Sequence, residues 1–401
     1  MCGIAGFVKL KEPIQNKSKP DLTEMLDSIK YRGPDDRGIY EDNLVSLGNV
    51  RLSILDLSSA GHQPMEDDNG SLIITYNGEI YNYIEIKKEL QKRGHSFKTN
   101  TDTEVILKAY KEWGKDCVKK FNGMWAFVIW DKNAKKIFVS RDRFGVKPFF
   151  YYKDDDVFIF ASEIKALLTF LGNRREINRL FLYNFIDRES SSYRNSETVF
   201  KNIYSLLPAH NLVIDLNSED HEIKLESHWQ FLPREFRRKY DYSRPINTFR
   251  ELLIDSVKLR LRSDVPVGVC LSGGIDSSVI TCIITKILKQ PIETFSSIYH
   301  QAGYGEKEFI DEVNKECNTN PNLIYPNADN FFEVLISLIR HHDKPVRMPG
   351  PYSQWHVFKR AAQKVVVTLD GQGGDELLAG YPYYYPYYLA DLIKDLSFRK
   401  Y

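Results

Sequence analysis

The feature that most constrains the fold is a change of texture along the 401-residue chain. Its first half carries short alternating or apolar runs at 72–76, 124–130, 137–140 and 157–161, separated by turn residues, and these read as strands. Helical periodicity falls around 21–30, 80–93 and 102–113. Strands in runs with helices interspersed predict an α+β domain in layers with a largely antiparallel sheet. A polar segment at 217–244, containing Pro233 and many charges, reads as a connection. Beyond it, helix 246–262, strand 265–271, helix 276–289, strand 292–298, helix 306–317 and strand 365–369 alternate. That order predicts an α/β domain with a parallel sheet and ligand sites at the C-terminal ends of its strands. Two domains are expected, at 2–215 and 240–401.

Lys plus Arg (55) and Asp plus Glu (54) nearly cancel, so there is no bulk field to draw nucleic acid or an anionic membrane, and neither is expected as a partner. The five cysteines, Cys2, Cys117, Cys270, Cys282 and Cys317, are scattered, odd in number and without a CxxC spacing. This argues against a zinc site or a disulfide framework and points to a reducing compartment. No apolar run approaches the ~18 residues of a membrane span. Lys9, Lys11 and Glu12 interrupt the N-terminus before a signal-peptide core forms. A soluble, cytoplasmic chain is expected.

Cys2 stands directly behind Met1, and removal of Met1 would leave a thiol and a free α-amine on one residue, a nucleophile with its own base. A thiol attacking an amide needs donors for the oxyanion, and Asn77-Gly78 can supply them through a side-chain amide and a backbone N–H. The same pair is also a hairpin signal. Glu79 can hold a substrate ammonium. Asp102 can do so too, or can complement the helix that Thr101 and Glu104 cap. Arg51 reads either as a two-bond clamp on a carboxylate or as a solvent-facing edge arginine.

In the second half, a strand ending at Leu271 runs into Ser272-Gly273-Gly274-Ile275-Asp276-Ser277-Ser278 and a helix. Paired glycines, hydroxyls and a helix N-terminus suit a phosphate, with Asp276 placed for Mg2+; a capped Gly-Gly turn is the plain alternative. The loop lacks the lysine of a GxxxxGK[ST] motif. A second loop, Asp370-Gly371-Gln372-Gly373-Gly374-Asp375-Glu376, suits a metal-nucleotide or aspartate site. Tyr381-Pro382-Tyr383-Tyr384-Tyr385 reads as a packing surface rather than a platform for bases.

Several of these segments occur in an order that resembles a known family. They are Met1-Cys2-Gly3-Ile4-Ala5-Gly6, Arg32-Gly33-Pro34-Asp35, Arg51-Leu52-Ser53-Ile54, Tyr76-Asn77-Gly78-Glu79-Ile80-Tyr81-Asn82, Thr101-Asp102-Thr103-Glu104 and Arg141-Asp142-Arg143-Phe144-Gly145-Val146-Lys147-Pro148. Together they resemble the class II glutamine amidotransferases, and within them the glutamine-hydrolysing asparagine synthetases. The resemblance implies an N-terminal-nucleophile αββα sandwich followed by an α/β PP-loop domain. It implies that Cys2 attacks glutamine through a thioester, and that Asn77 and Gly78 form the oxyanion hole. Glutamine would be bound by Arg51, Leu52, Ser53, Ile54, Leu55, Asn77, Gly78, Glu79 and Asp102.

ATP would be bound by Leu271, Ser272, Gly273, Gly274, Asp276, Ser277, Ser278, Ser297, Asp370 and Gly371, with Mg2+ on Asp276 and Asp375. The implied substrates are glutamine, aspartate and ATP, and a homodimer is compatible with the exposed aromatics. Three features depart from the family pattern, the first being Asp370 where the family usually carries Ser. Gln372 stands where a glutamate base is usually assigned, and the family's synthetase domain continues past the equivalent of Tyr401, which reads as truncation. A relative that amidates another carboxylate, or a form that is only a glutaminase, are the alternatives.

Overall fold

The computed structural model describes residues 1–11, 20–187, 196–231, 244–299, 306–347 and 349–398. It divides into two compact units, Met1–Ser243 with Ile339–Pro345, and Arg244–Leu338 with Val346–Tyr401.

Twelve strands build the first unit: β1 (Gly3–Lys9), β2 (Asp36–Glu41), β3 (Val45–Arg51), β4 (Met65–Glu66), β5 (Leu72–Ile80), β6 (Gly123–Asp131), β7 (Lys136–Arg141), β8 (Phe150–Lys153), β9 (Val157–Ala161), β10 (Ile203–Ser205), β11 (His210–Asp215) and β12 (Ile223–Ser227). They form two six-stranded sheets, β10-β8-β9-β1-β3-β2 and β12-β11-β7-β6-β5-β4, in which every pairing is antiparallel. The run Met124–Trp130 is apolar throughout because β6 is covered on both faces. Ala126, Val128 and Trp130 point into a core shared with Ile4, Val8, Val45 and Leu47 of the other sheet. Trp125, Phe127 and Ile129 point the opposite way, onto Val105, Ile106 and Ala109 of helix Asp102–Trp113 and Ile86 and Leu90 of helix Tyr83–Lys92. Helices Leu22–Ser28 and Ile164–Leu171 cover the outer face of the first sheet through Leu22, Met25, Leu26, Ile164 and Leu167. The expected αββα sandwich is therefore present, with three apolar layers. Each fully buried Leu, Ile or Phe in them contributes about 1.5–3 kcal/mol.

The expected connection at 217–244 contains a strand. β12 pairs with β11 from His210↔Ser227 to Ile214↔Ile223. It lies at a sheet edge, where charges such as Lys224 and Glu226 are tolerated and mask the strand pattern. Pro233 and the rest of 232–243 lie outside the described residues.

The second unit has a four-stranded parallel sheet of β13 (Val267–Cys270), β14 (Glu293–Ser297), β15 (Asn320–Ile324) and β16 (Val367–Leu369), in the order β15-β14-β13-β16. The helices read from the sequence are present as Pro245–Arg260, Ile275–Cys282 and Lys307–Cys317, the second continuing as a π-helical turn at Ile283–Ile287. β15 escaped the sequence reading because Pro321 sits inside it, which an edge strand tolerates. Helices Phe331–His342 and Gly350–Ala361 escaped it as well. Among the described residues no helix is long and apolar enough to cross a membrane.

One carboxylate ties the end of β7 to β6. Asp142 is buried, and its Oδ1 accepts from the N–H of Phe144 (3.1 Å) and Val146 (3.0 Å) while Oδ2 accepts from Lys147 (3.0 Å) and Trp125 (3.2 Å). Asp142→Ala leaves four backbone donors without this partner, and we expect a loss of about 3–5 kcal/mol, measured as a lowered urea midpoint of the first unit.

Candidate active sites

The thiol of Cys2 is half-buried at the start of β1 and donates to Leu52 O at 3.6 Å. Burial pushes its pKa up. Burial of the amino group lowers the pKa of the Met1 α-amine to about 5 although the Met1 residue as a whole is half exposed; removal of Met1 would put the α-amine on Cys2 instead. The Arg32-Gly33-Pro34-Asp35 segment fixes this end of the chain, a role that no pattern in the sequence disclosed. Arg32 Nε donates to Cys2 O at 2.9 Å and its Nη1 to Glu163 Oε1 at 2.7 Å. Asp35 Oδ2 accepts from Ser53 N at 2.7 Å, which holds the 52–55 segment.

Asn77 and Gly78 lie inside β5, opposite Ala126 and Trp125, so the hairpin reading of this dipeptide is overturned. Period two puts Thr75, Asn77 and Glu79 on the face toward the first sheet, where Thr75 Oγ1 donates to Gly48 O at 3.0 Å. Glu79 and Tyr76, on either side of the pair in sequence, are both electrostatic neighbours of the Cys2 sulfur. Among the described residues, both polar atoms of the buried Asn77 amide lack a hydrogen-bond partner.

The backbone of β5 is equally specific. Trp125 N–H and C=O both bond to Asp142, at 3.2 and 2.9 Å, on the side of β6 away from β5. The Gly78–Trp125 pair is therefore a non-hydrogen-bonded one, and Gly78 N–H points to the opposite edge of β5. On that edge Tyr76 N–H goes to Gln63 Oε1 (2.7 Å) and Ile80 N–H to Asp102 Oδ2 (2.8 Å). β4 covers only Ile73 and Ile74. The N–H of Gly78 is left between two anchored neighbours.

Asp102 thus acts as more than a helix-dipole partner. It is buried, and its Oδ2 also accepts from Tyr76 Oη at 2.8 Å. Burial raises its pKa to about 6 against the opposing hydrogen bonds from Ile80 and Tyr76. Thr101 caps the helix by accepting from Glu104 N at 3.2 Å, and Glu104 reaches back to the N–H groups of Lys98 and Thr99. Arg51 differs from both readings made of it. It is buried, not a solvent-facing edge residue. Its Nη1 donates to Ser58 O (3.0 Å) and Nη2 to Leu55 O (3.2 Å) and Asp56 O (2.6 Å), so both terminal nitrogens brace the loop rather than presenting a two-bond clamp. Leu55 is buried, while Leu52, Ser53 and Ile54 are half-exposed beside Cys2 and Asp35.

In the second unit a cavity of about 1120 Å³ opens at the C-terminal ends of β13, β14 and β16, and Leu271, Ser272, Gly274, Asp276, Ser277, Ser297, Asp370, Gly371 and Asp375 all line it. Gly273 has φ +87°, a left-handed turn that favours glycine, and Ser278 Oγ donates to Gly274 O at 2.8 Å. Ser277 is buried, and its hydroxyl takes Ser272 N–H (3.1 Å) and bonds Gly274 O (3.2 Å), so it shapes the loop from beneath. The Leu271 side chain packs with Ile298 and Ile310 in the core, which leaves its backbone, not the side chain, to meet a base. Ser297 Oγ at the end of β14 is buried, without a hydrogen-bond partner among the described residues.

The glycine-rich loop after β16 closes on the first. A Cβ on Gly374 would lie 2.2 Å from Asp276 Cγ, and one on Gly371 would lie 3.0 Å from Asp276 Cβ. Asp370 turns its own loop by accepting from Gln372 N at 3.1 Å. Asp276, Asp370 and Asp375 line one cavity, but among the described residues no group of three or more Asp, Glu, His or Cys side chains is placed to hold a metal ion, so protein oxygens alone do not complete a Mg2+ site here. Tyr381, Tyr383 and Tyr384 pack on one another, Tyr381 stacking on Tyr383 at 5.1 Å, and Tyr381 also lines the cavity.

Residues 1–229 match the glutamine amidotransferase domain family and residues 248–397 the asparagine synthase family. A Methanocaldococcus jannaschii protein to which glutamine-hydrolysing asparagine synthetase activity is ascribed is 40% identical, covering 99% of this chain and 78% of its own. The glutamine-hydrolysing asparagine synthetase 1 of Bacillus subtilis is 33% identical, covering 96% of this chain and 59% of its own. An amidase of Gibberella zeae is 34% identical over 72% of this chain and 44% of its own. With both domains matched in order and 40% identity across nearly its whole length, the chain belongs to the glutamine-hydrolysing asparagine synthetase family.

Proposed function

We propose that the chain makes asparagine from aspartate, glutamine and ATP, with glutaminase chemistry in 2–215 and adenylation in 240–401. The observation that carries the first half is the pair of donors on β5: a buried Asn77 amide without a partner, and a Gly78 N–H left at the strand edge between two anchored neighbours. Once Met1 is removed, the α-amine of Cys2 takes the thiol proton, and sulfur attacks the side-chain amide carbon of glutamine. The carbonyl electrons move to oxygen, where Asn77 and Gly78 donate. Collapse expels ammonia, which takes the proton, and leaves a glutamyl thioester that water cleaves to glutamate. Glu79 and Asp102 supply negative charge for the ammonium end of glutamine. Arg51 sets the 52–58 loop against the other end.

In the second unit, backbone N–H groups of 272–278 would receive the phosphates of ATP, with Ser297 and the Leu271 backbone toward the nucleoside. Asp276 and Asp375 would hold Mg2+, which supplies charge neutralisation on the phosphates when bound. Aspartate oxygen attacks the α-phosphorus, pyrophosphate leaves, and ammonia displaces AMP from the aspartyl-adenylate. Gln372 is a neutral amide and cannot serve as the base for that ammonia.

The test is mass spectrometry of products from untagged protein given MgATP, aspartate and amide-15N glutamine. Labelled asparagine with AMP and pyrophosphate is expected; glutamate without AMP would overturn the synthetase reading and leave a glutaminase or another carboxylate acceptor. Asn77→Ala is expected to lower glutaminase kcat by about 100-fold or more with a smaller change in KM, as for loss of an oxyanion donor. Gly374→Ala pushes only the Asp276 side chain aside. We expect Tm within about 2 °C of the parent, by calorimetry, and a Kd for MgATP raised about tenfold, by titration calorimetry, equivalent to about 1.4 kcal/mol.

A further inference from the structure

The segment after β7 delivers one group that the reading above leaves without work. Lys147 is held at its backbone from both sides: its N–H on Asp142 Oδ2 at 3.0 Å and its carbonyl on Arg141 Nε at 2.7 Å. Gly145, at φ +65°, makes the turn between them, and Arg141 Nη2 binds its carbonyl at 2.8 Å. The side chain that follows is buried, only 4% of the residue being exposed. Yet among the described residues its ammonium makes neither a hydrogen bond nor an ion pair, whereas the other buried lysine, Lys108, contacts Asp68. An ammonium largely withdrawn from water without a partner at contact distance is costly, and burial accordingly lowers the Lys147 pKa to about 8.

Its charged surroundings are the nucleophile's own. The Met1 α-amine, the Cys2 thiol, Arg32, Glu79 and Asp142 all interact with it electrostatically. Arg32 has the same sign but is engaged with Glu163 and the Cys2 carbonyl. Asp35 acts on the amine, and Glu79 on the thiol, in the opposite sense.

We propose that Lys147 is a positioning cation for the Cys2 centre, one that favours thiolate over thiol and so extends glutamine attack toward lower pH. A cation beside a thiol stabilises its anion. The thiol then releases its proton at a lower pH, and the effect fades as Lys147, its own pKa lowered by burial, loses its charge.

The inference rests on Cys2 being the glutaminase nucleophile, so its test is read at Cys2 without glutamine. The rate of iodoacetamide alkylation of Cys2 is followed against pH by peptide mass spectrometry, in the full chain with Met1 removed. In Lys147→Met the midpoint is expected to rise by about one pH unit, making alkylation near pH 6 about tenfold slower, with Lys147→Arg keeping the parent curve. Circular dichroism checks folding, and Lys147→Gln replaces the Met variant if that does not fold. An unmoved midpoint in the neutral variant overturns the proposal, including the case in which KM for glutamine rises because Lys147 only supports Glu79. A shift in Lys147→Arg as large as in Lys147→Met also overturns it, since packing rather than charge would then be the cause. Absence of glutaminase activity in the parent would instead count against the proposed function, leaving the alkylation result to be judged alone.

Discussion

The alternation of hydrogen bonding along an antiparallel strand organises the first site. Because Asp142 takes both backbone groups of Trp125 on one side of β6, the register of β5 against β6 turns the N–H groups of residues 76, 78 and 80 to the other edge of β5. Gln63 and Asp102 then take the first and last of the three. A slip of one residue would exchange both the edge that carries these donors and the face that carries Asn77. The apolar layers on both sides of β6 make such a slip costly, so the packing of Trp125, Phe127 and Val128 holds the donors where they are. Fold stability and the geometry at Cys2 are in this sense one constraint.

The second unit reaches its site by close approach rather than by register. Two glycine-bearing loops from neighbouring strands, β13 and β16, meet at Asp276, near enough that a methyl group on Gly374 would displace the carboxylate. Small residues here do two separate things. Gly273 permits the left-handed turn, and Gly374 permits the contact. The serines divide in the same way: Ser277 is committed to the loop's internal bonds, while Ser297 keeps a buried hydroxyl without a partner. Among the described residues, buried groups without a hydrogen-bond partner occur at both sites, as Asn77 and Ser297, and a fold that satisfies most of its interior leaves such groups for something that binds.

The two fold classes were readable from the sequence because each leaves a local trace: period-two or continuous apolar runs for strands covered on one or two faces, and alternating helix and strand for the parallel sheet. Elements at edges were not readable. β12 carries charges and β15 carries Pro321, both allowed only where one side of the strand has no neighbour, and neighbours are not a local property. The motifs that drew attention to Cys2, Asn77, Asp276 and Asp370 could be seen as residue types suited to a chemistry, without showing which bonds each residue had already spent.

Arg51 shows the difference. As a cation in an apolar stretch it looked free to clamp a carboxylate, but the loop from Leu55 to Ser58 folds back and supplies three carbonyls to it. Asp102 was legible as a residue at a helix start and became, through a contact across 22 residues of chain, the anchor of a strand edge. Asp142 and Lys147 were visible only as letters in a motif. The sequence by itself determined which groups this protein possesses and the periodicity that sorts them into layers, since propensity and hydrophobic pattern act over a few neighbouring residues. Only the tertiary structure decided which of those groups are consumed in holding the fold and which are left unpaired, because that depends on partners brought together from distant parts of the chain.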